Sequence, residues 1–238
     1  MRVAIAFALS ALALAAPAHA DEKAARVSFL QGSALRTPSG TGMQEPLKKG
    51  SWVTVGDLIE TGDATRLEVK LKDRSAVRLG ANAKLKLNEA HFGGAEKATE
   101  RKFSAKLFFG NLWVKAVAAV GGDNKFDVET DNAVAGVRGT AFRVDARSDK
   151  SVLVKVFAGA VAVAKNVPMY QEHEPGKGVR KQVKGPGQVD KKAWEKLVGK
   201  QMQVMIAADG TPGDPVAFDA NEKDDFEAWN LGKDEKAE

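Results

Sequence analysis

Lys106-Leu-Phe-Phe-Gly110-Asn-Leu-Trp-Val114 aligns position for position with Lys155-Val-Phe-Ala-Gly159-Ala-Val-Ala-Val163, and Val27-Ser-Phe-Leu-Gln-Gly32-Ser-Ala-Leu35 is a looser third copy. Each copy sets a glycine between two runs of alternating apolar and polar residues. Alternation with a period of two describes a half-buried strand, and glycine reaches positive φ without the cost that a Cβ imposes. The unit therefore reads as strand, sharp bend and second strand. Repeated units of this kind can stack and bury one face each, as a sandwich or as a short solenoid-like pile, and the pattern leaves both open.

The same alternation extends through Leu67-Glu-Val-Lys-Leu71, Val77-Arg-Leu79, Leu85-Lys-Leu87, Phe126-Asp-Val128 and Val152-Leu-Val-Lys-Val156. Short runs separated by Gly, Asp, Asn and Ser predict antiparallel strands joined by tight turns, so the fold class expected is all-β, built of stacked antiparallel hairpins over residues 21–164. Asn88 to Arg101 loses the period and reads as a loop, and Gly121-Gly-Asp-Asn124 reads as a turn. Residues 165–189 are rich in Pro, Gly and Lys and read as a linker with one short hairpin. Residues 190–238 predict a small helix-strand-helix unit packed on the β body. Asp190 would cap a helix carrying Trp194, Leu197 and Val198; Gln201 to Ala207 would form a strand; Asp209-Gly210 would turn; and Asn221 would cap a last helix that turns Phe226 and Trp229 inward and ends at Gly232.

The first 20 residues place Arg2 before an apolar run from Val3 to Ala16 and finish in Ala18-His-Ala20, the layout of a cleavable secretory signal. The run falls short of the ~20 residues that span a bilayer, so the expectation is a periplasmic protein that does not span the membrane after cleavage. No cysteine is present, which excludes disulfides, thiol nucleophiles and thiolate metal sites, and three histidines make a histidine-ligated metal improbable. The net charge of +5 is spread along the chain rather than gathered, which is not a nucleic-acid binder's field. It is uneven at the end, where the stretch from Asp219 to Glu238 is acidic and the stretch from Lys165 to Lys200 basic.

Two blocks carry a family resemblance. Gly56-Asp57-Leu-Ile-Glu-Thr61-Gly62-Asp-Ala64, the alternating strand from Leu67 to Leu71, Asp73-Arg74-Ser75 and a second strand ending near Asn82 resemble the FecR domain. Its pattern runs G-D-x-I-x-T-G, strand, D-G-S, strand. Thr130-Asp-Asn-Ala133-Val-Ala-Gly136-Val-Arg138-Gly139-Thr140-Ala-Phe142-Arg-Val144 is similar to the family's second block, and Val154 to Val161, through Gly159, to its closing hairpin. The resemblance implies an extracytoplasmic β domain of the kind found in sensors that regulate extracytoplasmic sigma factors, notably in ferric-siderophore signalling. Membrane-spanning members place an anti-sigma segment and a transmembrane helix before this domain, where this sequence has only its signal, so direct contact with a sigma factor is not expected. Arg74 stands where the family has glycine, at a cost of about 1 kcal/mol if the turn keeps positive φ there.

Gly136-Val-Arg138-Gly139-Thr140 lacks phosphate-loop spacing and reads as structural. No nucleophile-base pairing, carboxylate pair or calcium loop has convincing spacing, so no catalytic residue, cofactor or metal is assigned and no enzyme is expected. In Phe108 to Val114 both faces of the strand are apolar. One is expected to be covered by the C-terminal unit or to dock a partner, which makes Phe109 and Trp113 the candidate binding surface. The expected partner is another periplasmic or outer-membrane protein. The alternative is a cell-wall or polysaccharide ligand held by exposed aromatics and the basic stretch from Lys177 to Lys184.

Overall fold

A computed structural model describes residues 23–92, 101–116, 125–166 and 196–236. The expected signal, the expected linker after Asn166, Asp190, Trp194 and the turn expected at Gly121 to Asn124 lie outside the described residues.

The strands are β1 (Lys23–Gln31), β2 (Ala34–Thr37), β3 (Glu45–Pro46), β4 (Trp52–Thr54), β5 (Leu58–Thr61), β6 (Arg66–Leu71), β7 (Ala76–Leu79), β8 (Lys84–Phe92), β9 (Arg101–Lys115), β10 (Lys125–Glu129), β11 (Ala133–Ala146), β12 (Val152–Lys165), β13 (Lys196–Val198), β14 (Met202–Ile206) and β15 (Val216–Ala217), with one helix, α1 (Asp225–Glu235). All the strands join in one hydrogen-bonded network. The all-β body with a small helical appendage is therefore as its alternation predicts.

Three long strands fold that network into two facing layers. The first half of β9 pairs with β8 and β10, whereas residues after Gly110 pair with β7 and β11. The later half of β11 pairs with β9 and its first half with β10, and β12 changes partners from β14 to β13 along its length. Strands that bend from one sheet into another are how a sandwich turns a corner. Val69, Leu71 and Val77 on one layer and Ile59, Leu85, Leu87 and Phe103 on the other line a single small apolar space, which locates the core between the layers.

The bends fall on the glycines of the internal echo. Gly110 has φ 95° and Gly159 φ 75°. A Cβ on Gly110 would lie 2.5 Å from the Ala83 Cα, and one on Gly159 would lie 2.4 Å from the Gly139 carbonyl oxygen. Backbone conformation and close approach thus demand glycine independently at both corners.

Three expectations are corrected. The pairing of β10 with β9 is parallel. Strand β8 continues to Phe92, past the loop expected from Asn88, and its ladder shifts between Leu87 and Glu89. That irregularity breaks the period of two and hides the strand, although Ala90 beyond it is buried. Finally, Lys196–Val198 is a strand on the edge of β12, not the end of a helix. Val198 is buried and Leu197 is exposed, the alternation of a strand, because the edge of β12 supplies backbone partners that an isolated helical spacing cannot reveal.

Candidate functional site

On the outer face of the first layer, Glu68, Arg78, Trp113, Arg143 and Lys155 stand side by side in successive strands. Glu68 is opposite Arg78, Arg78 opposite Trp113, Trp113 opposite Arg143 and Arg143 opposite Lys155. Side chains directly opposite on one face approach within contact distance, so the register builds a transverse row of charge around one indole.

Helix α1 lies over this row. Asp224 caps it by accepting the Glu227 amide hydrogen at 2.8 Å, so the cap is not Asn221, and the helix runs past Gly232 to Glu235. Acidic residues at the start of a helix also suit its partial positive charge. Its buried side chains are Glu227, Asn230 and Asp234, while Phe226 and Trp229 are half-buried.

Glu227 receives Lys155 Nζ at 2.5 Å and Arg143 Nη1 at 3.1 Å. Asp234 receives Arg78 Nη1 at 2.7 Å through one oxygen and the Trp113 indole N–H at 3.1 Å through the other. Arg78 also donates Nε to Glu68 at 2.6 Å, and Lys115 Nζ reaches the Asp234 carbonyl oxygen at 3.1 Å. Ion pairs from Arg66 to Asp225 and from Arg143 to Asp224 complete the contact. Rings add to the contact: Trp229 lies 5.6 Å from Phe29, and the Arg143 guanidinium lies over the helix's own Phe226.

Burial pulls the Glu68 carboxyl upward, but hydrogen bonds from Ser28 and Arg78 outweigh it and hold the group below the ordinary range. Burial likewise opposes Asp224, and the Glu227 amide with Arg143 holds it low. The row can recognise acidic protein side chains by charge. It contains no nucleophile beside a base.

Trp113 is fully buried beneath α1 and 4.5 Å from the Phe157 ring, so it is not part of an exposed binding surface. That is a correction. The indole has one polar atom, and Asp234 satisfies it, which is what allows so large a side chain on an outer face to be covered. Phe109 is 44% exposed on the other side of the Gly110 bend. The two residues do not form one surface.

The family-motif residues take scattered positions in the framework. Asp57 is fully buried, accepts the Thr54 amide and hydroxyl, both at 2.9 Å, and faces Arg36. Beside it Gly56 donates its amide to the Leu87 carbonyl. Thr61 donates its hydroxyl to the Gly80 carbonyl and accepts the Ala83 amide, while Gly62 packs against Ser33. Asp73 accepts both the amide and the hydroxyl of Ser75 at 2.9 Å. Gly136 pairs with Asp127 and Ala162; Arg138 and Gly139 lie where β11 is irregular; and buried Thr140 precedes the crossing to β9, near the Gly159 corner.

The acidic row of α1 was visible in the charge of the tail, but its partners were not. Among the described residues they are Arg66, Arg78, Arg143 and Lys155 on the sheet. The available signal was a charged residue at the outward position of each alternating strand. Also unrecognised from sequence was a second and third copy of the Asp73 turn. Asp149 accepts the amide and hydroxyl of Ser151, and Asp209 those of Thr211.

Residues 57–162 match the family model described as FecR protein. No curated protein matches the chain by sequence. Among solved structures the chain is similar to two crystal structures of a candidate anti-sigma factor from Parabacteroides distasonis, at 2.50 and 1.65 Å resolution. Each is 18% identical with a TM-score of 0.47, and 74% of this chain is covered. The chain spans only 64% and 65% of the length of those two chains. Among the described residues no helix is long and apolar enough to cross a membrane, and no group of acidic residues and histidines could hold a metal ion.

Proposed function

We propose, from the premise that this chain carries a FecR domain over residues 57–162, that it is a non-catalytic module of the bacterial envelope that binds another envelope protein and serves as a sensing or scaffolding surface. The observation that carries the reading is the family match itself, which covers the first motif block from Asp57 onward, the second block and the two corner glycines. FecR domains are envelope-associated and regulatory. The body suits docking: its layers share three bent strands, so a surface feature on one layer is held rigidly relative to the other. Its prominent charged row faces a protein helix, which is recognition of a polypeptide by side chains. A sugar-binding reading loses its main contact because Trp113 is covered, and the exposed Trp52 already has Lys23 and Arg26 against its ring.

The test is cross-linking of the exported protein in intact cells followed by mass spectrometry. A specific envelope protein is expected among the products, together with no retention of the purified protein on peptidoglycan. Recovery of no protein partner, or strong retention on peptidoglycan, overturns the reading.

A further inference from the structure

Helix α1 is attached in an unusual way for a terminal helix, because the side chains it buries are Glu227, Asn230 and Asp234 rather than an apolar stripe. Buried ion pairs return little net free energy once desolvation is counted, whereas breaking one partner away is costly. A contact of this kind specifies where a helix sits more than it glues the helix down. The chain leading into it is tied to the sheet as far as Phe218, by the β14–β15 ladder, by Lys196 with Asp214 and by Phe218 against Phe157. From Asp219 to the cap only the local Asp219 turn to Asn221 and Glu222 precedes the helix, so undocking concerns α1 itself.

Beneath α1 the sheet presents Arg66, Arg78, Lys115, Arg143 and Lys155 against the carboxylates Glu68 and Asp145. Cations therefore outnumber anions on the face once the helix leaves, and the Trp113 indole N–H loses its acceptor. We infer that this row is a receptor for an acidic helical segment of the partner protein, with α1 as an internal occupant that must undock first. The inference rests on the envelope-partner reading above and names the chemistry of that partner. The occupant already in place describes the segment that fits: carboxylates two turns apart, as at Glu227 and Asp234, a small polar residue between them, as at Asn230, and an aromatic beside it that meets Phe29, as Trp229 does. Residues at these spacings share one helix face.

The experiment uses full-length protein with Glu227→Lys and Asp234→Lys together, which repel α1 from the row while leaving the sheet unchanged. The probe is a fluorescent synthetic peptide of residues 221–236, followed by anisotropy. The peptide is expected to bind the variant at least tenfold more tightly than the wild type, to weaken as NaCl is raised, and to lose binding when it carries the same two lysines. No binding to a variant whose strand amides remain protected from hydrogen exchange overturns the inference, as does equal affinity for both proteins. Should the variant fail to fold, exchange in the wild type decides: α1 amides are expected to exchange at least tenfold faster than those of β9 and β11, and equal protection overturns the inference. Cross-linking separates the two readings. A partner captured with the same yield by variant and wild type docks elsewhere, which defeats this inference and leaves the envelope-partner reading standing; a higher yield with the variant supports both.

Discussion

The Trp113 indole N–H donates to the Asp234 carboxylate at 3.1 Å, across 121 positions of sequence. The same carboxylate takes a proton donor from Arg78, so one acidic side chain of the terminal helix closes both the aromatic and the charged parts of the outer row.

Arg78 is the centre of that arrangement, 1% exposed and bonded to both Glu68 and Asp234. Replacing it with leucine leaves two carboxylates facing each other in a covered site. We expect Arg78→Leu to lose about 3–5 kcal/mol of unfolding free energy. In urea titrations a loss below about 1 kcal/mol would show that the row is solvated and the helix loosely seated.

Gly110→Ala and Gly159→Ala each impose a Cβ on left-handed backbone at a position where backbone atoms lie under 3.0 Å away. The conformational cost alone is about 1–2 kcal/mol, and displacement of the neighbouring strand adds to it. Each variant should therefore lose at least about 2 kcal/mol, whereas Gly199→Ala, with open space around it, should change stability much less. Equal midpoints for all three in denaturant would remove the corner role assigned to the echo.

How far the fold could be read follows from the range of the interactions. Alternation within a strand is local, so β6, β7, β10 and both arms of β12 were legible, and the paired glycines marked the corners before any contact was known. Beyond Leu87 the shifted ladder moves the side chains out of phase, and β8 disappears from a pattern search. For β13 the information lies on another segment altogether, since the edge of β12 makes Lys196–Val198 a strand. The helix was legible as a helix, but a carboxylate on it does not announce an arginine 156 positions earlier, so Asp234 with Arg78 could be found only in three dimensions. Trp113 was misplaced for the same reason: its strand has two apolar faces, and local pattern does not say which is covered.

Three turns share one design, an aspartate accepting from a Ser or Thr two residues on, but differ in the residue between. Arg74 and Lys150 hold positive φ at 71° and 66°, and Gly210 does so at 84°. The chain thus contains its own comparison, because only the third turn carries the residue suited to that backbone. Arg74→Gly and Lys150→Gly should each raise stability by about 0.5–1 kcal/mol, less whatever the freer unfolded chain takes back. Their effects should add, since the turns belong to different hairpins. Gly210→Ala should be destabilising, as its Cβ would lie 2.8 Å from the Asn132 carbonyl oxygen. Thermal unfolding of the single variants and the first pair measures all of this, and a destabilised Arg74→Gly would mean that the arginine side chain contributes more than its backbone costs.

Acid should loosen the molecule through specific carboxylates. Glu68 and Asp224 are both held below their ordinary range in the folded state despite burial, the first by Ser28 and Arg78, the second by the Glu227 amide and Arg143. A group depressed on folding contributes its full stabilisation above its unfolded value, near 4 for carboxylates, and surrenders it as pH falls through the folded value. Asp127 has the opposite sign. Burial raises it, opposed by Lys125 and reinforced by Glu129 and Glu89, so its contribution worsens as pH rises through the same region. Unfolding midpoints measured between pH 3 and 7 should consequently fall at the acid end in the wild type. The acid limb should flatten in Glu68→Gln, whereas Asp127→Asn should raise the midpoint at pH 7 and converge with the wild type in acid. An unchanged acid limb in Glu68→Gln would place the titrating groups elsewhere, away from the row beneath the helix.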